Sequence, residues 1–293
     1  VAMQAELIVD ARNAVGECPV WVPGENALYW VDIPTGELQR WNATSGQAQA
    51  WKAPQMLACI ARTSAGDWVA GMQTGFFRLT PHNDGRLDTA PLASVEHARP
   101  DMRLNDGRCD RQGRFWAGSM VLNMAENAAD GALYRYETGR AVHTALNGFI
   151  TPNGLAFSPD GRTMYLSDSH PLVQQVWAFD YDIDSGTPSN RRLFVDMHQF
   201  LGRPDGAAVD AEGCYWICAN DAGLVHRFTP DGRLDRSLAV PVKKPTMCAF
   251  GGSRLDTLFV TSIRDDHSAQ SLAGGVFALN PGVTGLPEPT FIL

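Results

Sequence analysis

A chain of 293 residues with a formal charge of −8 and no basic run longer than Lys243-Lys244 lacks the electrostatic footprint of a nucleic-acid binder. Its hydrophobic fraction of 44% suits a globular protein, and its apolar stretches fall far short of the roughly 20 residues that cross a bilayer, so no membrane partner is expected. The start Val1-Ala2-Met3 has no charged-then-apolar leader pattern, which points to a cytoplasmic location, and the six cysteines, in or beside strand-like runs, are expected to be reduced, buried thiols.

The first strand-like run is Glu6-Leu7-Ile8-Val9. From Gly24 onward one pattern recurs six times: a turn with Gly, then a run rich in Trp, Tyr, Phe, Val and Ile, at 24–30, 66–69, 113–116, 161–166, 213–216 and 252–259. A second run follows each, beginning at 36, 75, 131, 174, 223 and 275. Spacings in this range mark propeller blades or repeat units. No stretch keeps a helical i, i+3, i+4, i+7 stripe, and β-branched and aromatic residues dominate, so the repeats predict strands rather than a helical array. Pro-Asp-Gly at 159–161 and 230–232 and Asn-Asp-Gly at 83–85 predict hairpin turns.

A four-stranded blade cannot bury both faces alone, and stacking blades around an axis leaves only short edges. The expected fold is therefore all-β: one six-bladed β-propeller domain over residues 1–293, with N- and C-terminal strands closing one blade. The run 6–9 and the strand-like run 290–293 are the expected pair.

In a propeller the innermost strands line a central channel, where polar residues from several blades converge. Four segments stand out: Gly16-Glu17-Cys18-Pro19, Arg103-Leu104-Asn105-Asp106-Gly107, Thr151-Pro152-Asn153-Gly154 and Arg203-Pro204-Asp205-Gly206. Glu17 precedes Gly24 by seven residues, while Asn105, Asn153 and Asp205 precede Gly113, Gly161 and Gly213 by eight. Singly, Asn-Gly and Asp-Gly read as turn residues. Together, an acid or amide at one register of four repeats reads as a site at the hub. Two carboxylates with amide oxygens and no imidazole suit a hard divalent cation, which polarises carbonyls and acidifies water, as ester or lactone hydrolysis requires.

These four segments, in this order on six repeats, resemble the gluconolactonase and regucalcin (senescence marker protein) family of six-bladed propellers. The resemblance implies hydrolysis of a sugar lactone, aldonic or aldaric, to the sugar acid with one divalent ion (Ca2+, Mn2+, Mg2+ or Zn2+). It implies that Glu17, Asn153 and Asp205 hold the metal, that Arg103 and Asn105 meet the substrate, and that Asp205 serves as general base. Where some sugar-lactonase relatives carry a Glu after the Gly-Ser/Thr-Met segment, Gly118-Ser119-Met120 leads here to Asn123, a further substrate-facing position. The lost negative charge favours an acidic substrate, with Arg62 and Arg264 as candidate partners for its carboxylate, against the plainer reading of two solvated arginines.

Asp168 reads either as a support for a ligand or as a strand cap, and His170 as a hydrogen-bonded residue more readily than a catalyst. Cys214 and Cys218 lack a neighbouring His and match a zinc site poorly. The chain has no Gly-x-Ser-x-Gly elbow around a serine nucleophile, no Gly-x-Gly-x-x-Gly opening a helix and no phosphate-binding Gly-Lys-Ser/Thr loop. A metal-binding regulatory propeller without turnover, or a metal-dependent esterase or organophosphate hydrolase, are the competing functions; a monomer or small homo-oligomer is expected.

Overall fold

Six antiparallel four-stranded sheets form a ring in the computed structural model, which describes residues 5–265 and 271–293 and leaves the Val1-Ala2-Met3 start outside the described residues. Blade 1 comprises Gly16–Val22, Ala27–Asp32, Glu37–Asn42 and Ala48–Lys52; blade 2, Leu57–Arg62, Trp68–Met72, Gly75–Pro81 and Leu87–Ser94; blade 3, Met102–Cys109, Phe115–Val121, Gly131–Tyr136 and His143–Phe149. Blade 4 comprises Pro152–Phe157, Thr163–Asp168, Gln175–Asp182 and Thr187–Asp196; blade 5, Arg203–Val209, Tyr215–Asn220, Leu224–Phe228 and Leu234–Ala239. Blade 6 takes Pro245–Gly251, Thr257–Ser262 and Val276–Leu279 from the end of the chain and Glu6–Val9 from its start. The helices among the described residues are three one-turn 3-10 segments, and no helix is long and apolar enough to cross a membrane.

The expected runs are the second and third strands of each blade. The hairpin turns between first and second strands carry Gly66, Gly113, Gly161 and Gly213 at φ between 74° and 90°, a region that an L side chain enters only at a cost. Each blade hides its second strand between neighbours: Trp30, Trp68, Trp116 and Trp216 are at most 1% exposed. The innermost strands are buried almost throughout, whereas Leu87–Ser94 and Leu234–Ala239 alternate or face solvent, as outer strands do. The cysteine expectation holds, since all six are free and buried.

Closure joins the two ends in one blade, but with a different C-terminal partner from the one expected. Glu6–Val9 pairs antiparallel with Val276–Leu279, Leu7 opposite Phe277. Residues 290–293 instead run past the bottoms of blades 2 and 3: Phe291 bridges Thr63, and Ile292 N–H donates to Gly113 O at 3.1 Å. The run is strand-like because Phe291 is buried, 1% exposed, with its ring 5.6 Å from Tyr136 and 6.4 Å from Phe115. Upstream, Gly285 bridges Asp210 and Glu288 meets Arg108, so the C-terminal strap crosses the lower end of the channel. Phe291→Ala is expected to cost about 3 kcal/mol by cavity formation, read as a lower denaturant midpoint at unchanged m.

Candidate functional site

Every innermost strand breaks register with its neighbour near its N-terminal end, after Glu17, Leu57, Leu104, Asn153, Pro204 and Pro245. Such bulges re-aim side chains. Glu17, Asn105, Asn153 and Asp205 stand at or within these bulges, at 4–6% exposure, and Asp106 joins them at 5%. The Asn-Gly and Asp-Gly pairs are therefore not turns. They lie inside strands, and their glycines serve close packing: a Cβ on Gly206 would stand 2.4 Å from Met247 Cβ, and Gly154, at φ +60°, is overhung by the Tyr215 hydroxyl, which donates to its carbonyl at 2.6 Å.

The Glu17 and Asp205 carboxyls lie within hydrogen-bonding reach of each other. Burial, then the charges of Asp205 and Asp106, hold the Glu17 carboxyl well above the usual carboxylate range, and burial raises Asp205 to about 6. Asn220 Nδ2 donates to Asp205 Oδ2 at 2.7 Å, fixing that carboxyl. Four buried oxygens at or beside these strands, Asp106 Oδ1, Asn153 Oδ1, Asp205 Oδ1 and Asn220 Oδ1, have no hydrogen-bond donor among the described residues. Buried acceptors without donors are costly and call for an explanation. A cluster of acceptors that includes two facing carboxyls and lacks any thiolate or imidazole suits a hard divalent cation.

Arg103 extends beside this cluster. Its Nη1 donates to Leu104 O at 3.0 Å and Asn105 Oδ1 at 2.9 Å, while Asn105 Nδ2 donates to Pro152 O at 2.9 Å. Burial pulls the Arg103 guanidinium down to about 10, opposed by the nearby Glu17 and Asp205 charges. Arg103, Asn105, Glu17 and Asp205 are thus brought together, and Asn153 occupies the matching bulge of blade 4. Asn123 is not: it is exposed beyond the second strand of blade 3, and its Oδ1 accepts from Ala125 N–H at 3.2 Å, capping a 3-10 turn.

Arg62 is also removed from the site. At the opposite end of its innermost strand it pairs with Glu25 at 2.8 Å and lies over the Trp68 ring, whereas Arg264 is exposed on the same face as the cluster, past the second strand of blade 6. Asp168 is a cap: its oxygens accept from Ile150, Thr151 and His170 N–H groups, as Asp32 accepts from Ala14 and Val15 in blade 1. His170 is spent on Leu172 N–H and Met124 O.

A second group with metal-ligating atoms, Asp210, Glu212 and Cys214, sits at the lower end of blade 5. Asp210 Oδ2 already accepts from Trp216 Nε1 and Arg227 Nε, and its Oδ1 from two backbone N–H groups, so it is a saturated turn clamp. Sequence reasoning missed Asp106 and Asn220. Asp106 stands inside a quoted motif, beside the residue chosen by register; Asn220 ends a second strand and carries no local signal.

The pattern of the SMP-30/gluconolactonase/LRE-like family matches residues 15–264. A 6-deoxy-6-sulfogluconolactonase of Pseudomonas putida is 37% identical over 97% of both chains, and the regucalcin of Danio rerio is 32% identical over 99% of both. The crystal structure of a calcium-binding protein, regucalcin, from Agrobacterium tumefaciens superposes with a TM-score of 0.89 at 27% identity, covering 100% of this chain and 98% of the other. With a ring of six blades, an oxygen-lined hub and similarity along its whole length, this chain belongs to the SMP-30/gluconolactonase/LRE-like family.

Proposed function

We propose that the protein hydrolyses a sugar lactone to the open sugar acid, with one divalent cation held by Glu17, Asn153 and Asp205. The observation that carries this reading is the set of buried oxygens without donors around the facing Glu17 and Asp205 carboxyls. The names of its relatives support it: one acts on a sulfogluconolactone and others are regucalcins, one described as calcium-binding. A cation there supplies Lewis acidity toward the lactone carbonyl and lowers the pKa of water.

The protein's own groups do the rest. Arg103 uses one nitrogen on Leu104 and Asn105, which leaves its other donors for the lactone oxygens. Asn105, fixed at both ends of its amide, holds that guanidinium in place. Asp205, oriented by Asn220 through Oδ2, presents Oδ1 to accept the proton of the attacking water. Water adds to the carbonyl carbon, the ring C–O bond breaks, and the proton passes to the departing ring oxygen. Six free, buried thiols fit a reducing, cytoplasmic setting.

A pH-indicator screen against neutral and acidic sugar lactones, aryl esters and organophosphates, corrected for spontaneous hydrolysis, tests the reading. Lactone turnover is expected to vanish on chelation and return with added Ca2+, Mn2+ or Mg2+. A full rate after confirmed metal loss overturns the metal's role, and turnover of esters alone overturns the substrate class.

A further inference from the structure

The face of the ring that bears the cluster is electrically lopsided. Beside blade 3, Arg99 pairs with Asp101 at 2.6 Å and Glu126 at 2.8 Å, with Asp130 a little farther at 3.8 Å: three acids to one cation. Toward blades 5 and 6 the balance reverses. Asp221, at the end of the second strand of blade 5, receives Arg203 Nε at 2.6 Å on one oxygen and Lys244 Nζ at 2.7 Å on the other, and the exposed Lys243 pairs with no acid among the described residues.

Two cations share the Asp221 carboxylate, and the Arg203 charge also reaches Asp205 in the same strand. Burial alone raises the Asp221 carboxyl, but its bonds to Arg203 and Lys244 outweigh that and hold it at about 2, so it stays charged at neutral pH. Arg203 is only 18% exposed and is steadied from blade 4 by Ser169, whose carbonyl and hydroxyl accept from Nη1 at 3.3 Å; Nη2 has no partner among the described residues. Two of the three Lys244 ammonium hydrogens are likewise unused. Lys243 and Lys244 also line a cleft of about 590 Å³, together with Arg264, Asp265 and Ala273 of blade 6.

Arg203 precedes Asp205 by two residues in one innermost strand, about 7 Å along an extended backbone. That span matches the length of a six-carbon lactone from its carbonyl to its far end. We propose that Arg203 and Lys244 receive an anionic group, carboxylate, sulfonate or phosphate, carried on the end of the substrate remote from the lactone carbonyl. The assignment rests on the lactonase reading for the chemistry at the hub. It also replaces Arg62, which faces the other end of the ring, as the partner of an acidic substrate.

The test pairs kinetics with binding. The kcat/KM for a glucarolactone, which carries a terminal carboxylate, is expected to exceed that for the neutral gluconolactone about tenfold and to fall more steeply with added NaCl. Lys244→Gln is expected to lower that ratio at least fivefold, and Lys244→Glu further; a purely structural role for Lys244 would lower both rates and keep the ratio. In parallel, calorimetry compares D-glucuronate with D-glucose, ring analogues that cannot be hydrolysed. Tighter binding of glucuronate that weakens in Lys244→Gln supports the anion site even if no lactone is turned over, in which case the lactonase reading alone has failed. Equal binding of the two sugars, or an unchanged ratio in both Lys244 variants, overturns the proposal.

Discussion

Asp205→Asn is expected to lower lactone kcat by about 10^3-fold or more, through loss of the proton acceptor and of one cation ligand together, while the metal-free protein becomes more stable. The two effects have one cause. Asp205 and Glu17 face each other in a buried site: burial raises both carboxyls, and without a cation the Asp205 charge further disfavours ionisation of Glu17. Removing one charge relieves that conflict, and the Asn keeps the volume and the contact with Asn220. Circular dichroism and melting curves beside the rate separate this outcome from misfolding. Loss of activity with a lower melting temperature would point to a structural role instead.

The same arrangement fixes the sign of a pH effect. The Asp205 carboxyl rises from its ordinary 3.8 to about 6 in the folded protein, and Glu17 is raised well above its own ordinary range. Groups whose folded pKa is raised bind protons more tightly in the native state, so their contribution to stability is complete below about pH 4 and is lost as pH rises through 6 and beyond. Chelated protein is expected to melt at a lower temperature at pH 8 than at pH 5.5. Saturating Ca2+ should narrow the difference, adding about 3 kcal/mol at 100 times its Kd. A chelated protein with a flat profile across this range would count against clustered carboxyls.

Arg108→Ala is expected to be the most destabilising single substitution described, about 4 kcal/mol, or roughly 8 °C in Tm. Arg108, 8% exposed, bonds Glu288 through Nε at 3.0 Å and Nη2 at 3.2 Å, and its Nη1 donates to Leu155 O at 2.8 Å and Ala207 O at 2.7 Å. One guanidinium therefore ties the innermost strands of blades 3, 4 and 5 to the strap under the site. Its removal strands two buried carbonyls and a carboxylate that is 26% exposed. Glu288→Gln keeps the packing and one acceptor, so a loss of only about 1 kcal/mol is expected. Equal losses in the two variants would show that the ion pair, rather than the carbonyls, carries the effect.

Register made the hub legible from the sequence. Glu17, Asn105, Asn153 and Asp205 stand seven or eight residues before a glycine turn, and a hairpin of similar geometry in each blade converts that spacing into a common height in the ring. Apolar runs without helical period gave the blades for the same reason: inner and second strands are buried on both faces. Asn220 was not legible, because its role depends on which strand lies beside Asp205. The run 290–293 misled because burial, not blade membership, selects its aromatic and branched residues: Phe291 fills a space between Phe115 and Tyr136. Arg62 misled in the same manner, since sequence distance from a motif does not tell which mouth of the channel a strand end faces.

The pairing of Leu7 with Phe277 has a consequence for how the molecule is made. Emerging from the ribosome, blades 1 to 5 can each zip up locally from hairpins, but the sixth waits for a residue some 270 positions downstream of its fourth strand. Until then the facing sides of blades 1 and 5 are wet and sticky, the condition in which nascent chains aggregate. Ring completion is thus the slow, late event of biogenesis, and the stage at which chaperones have most to offer.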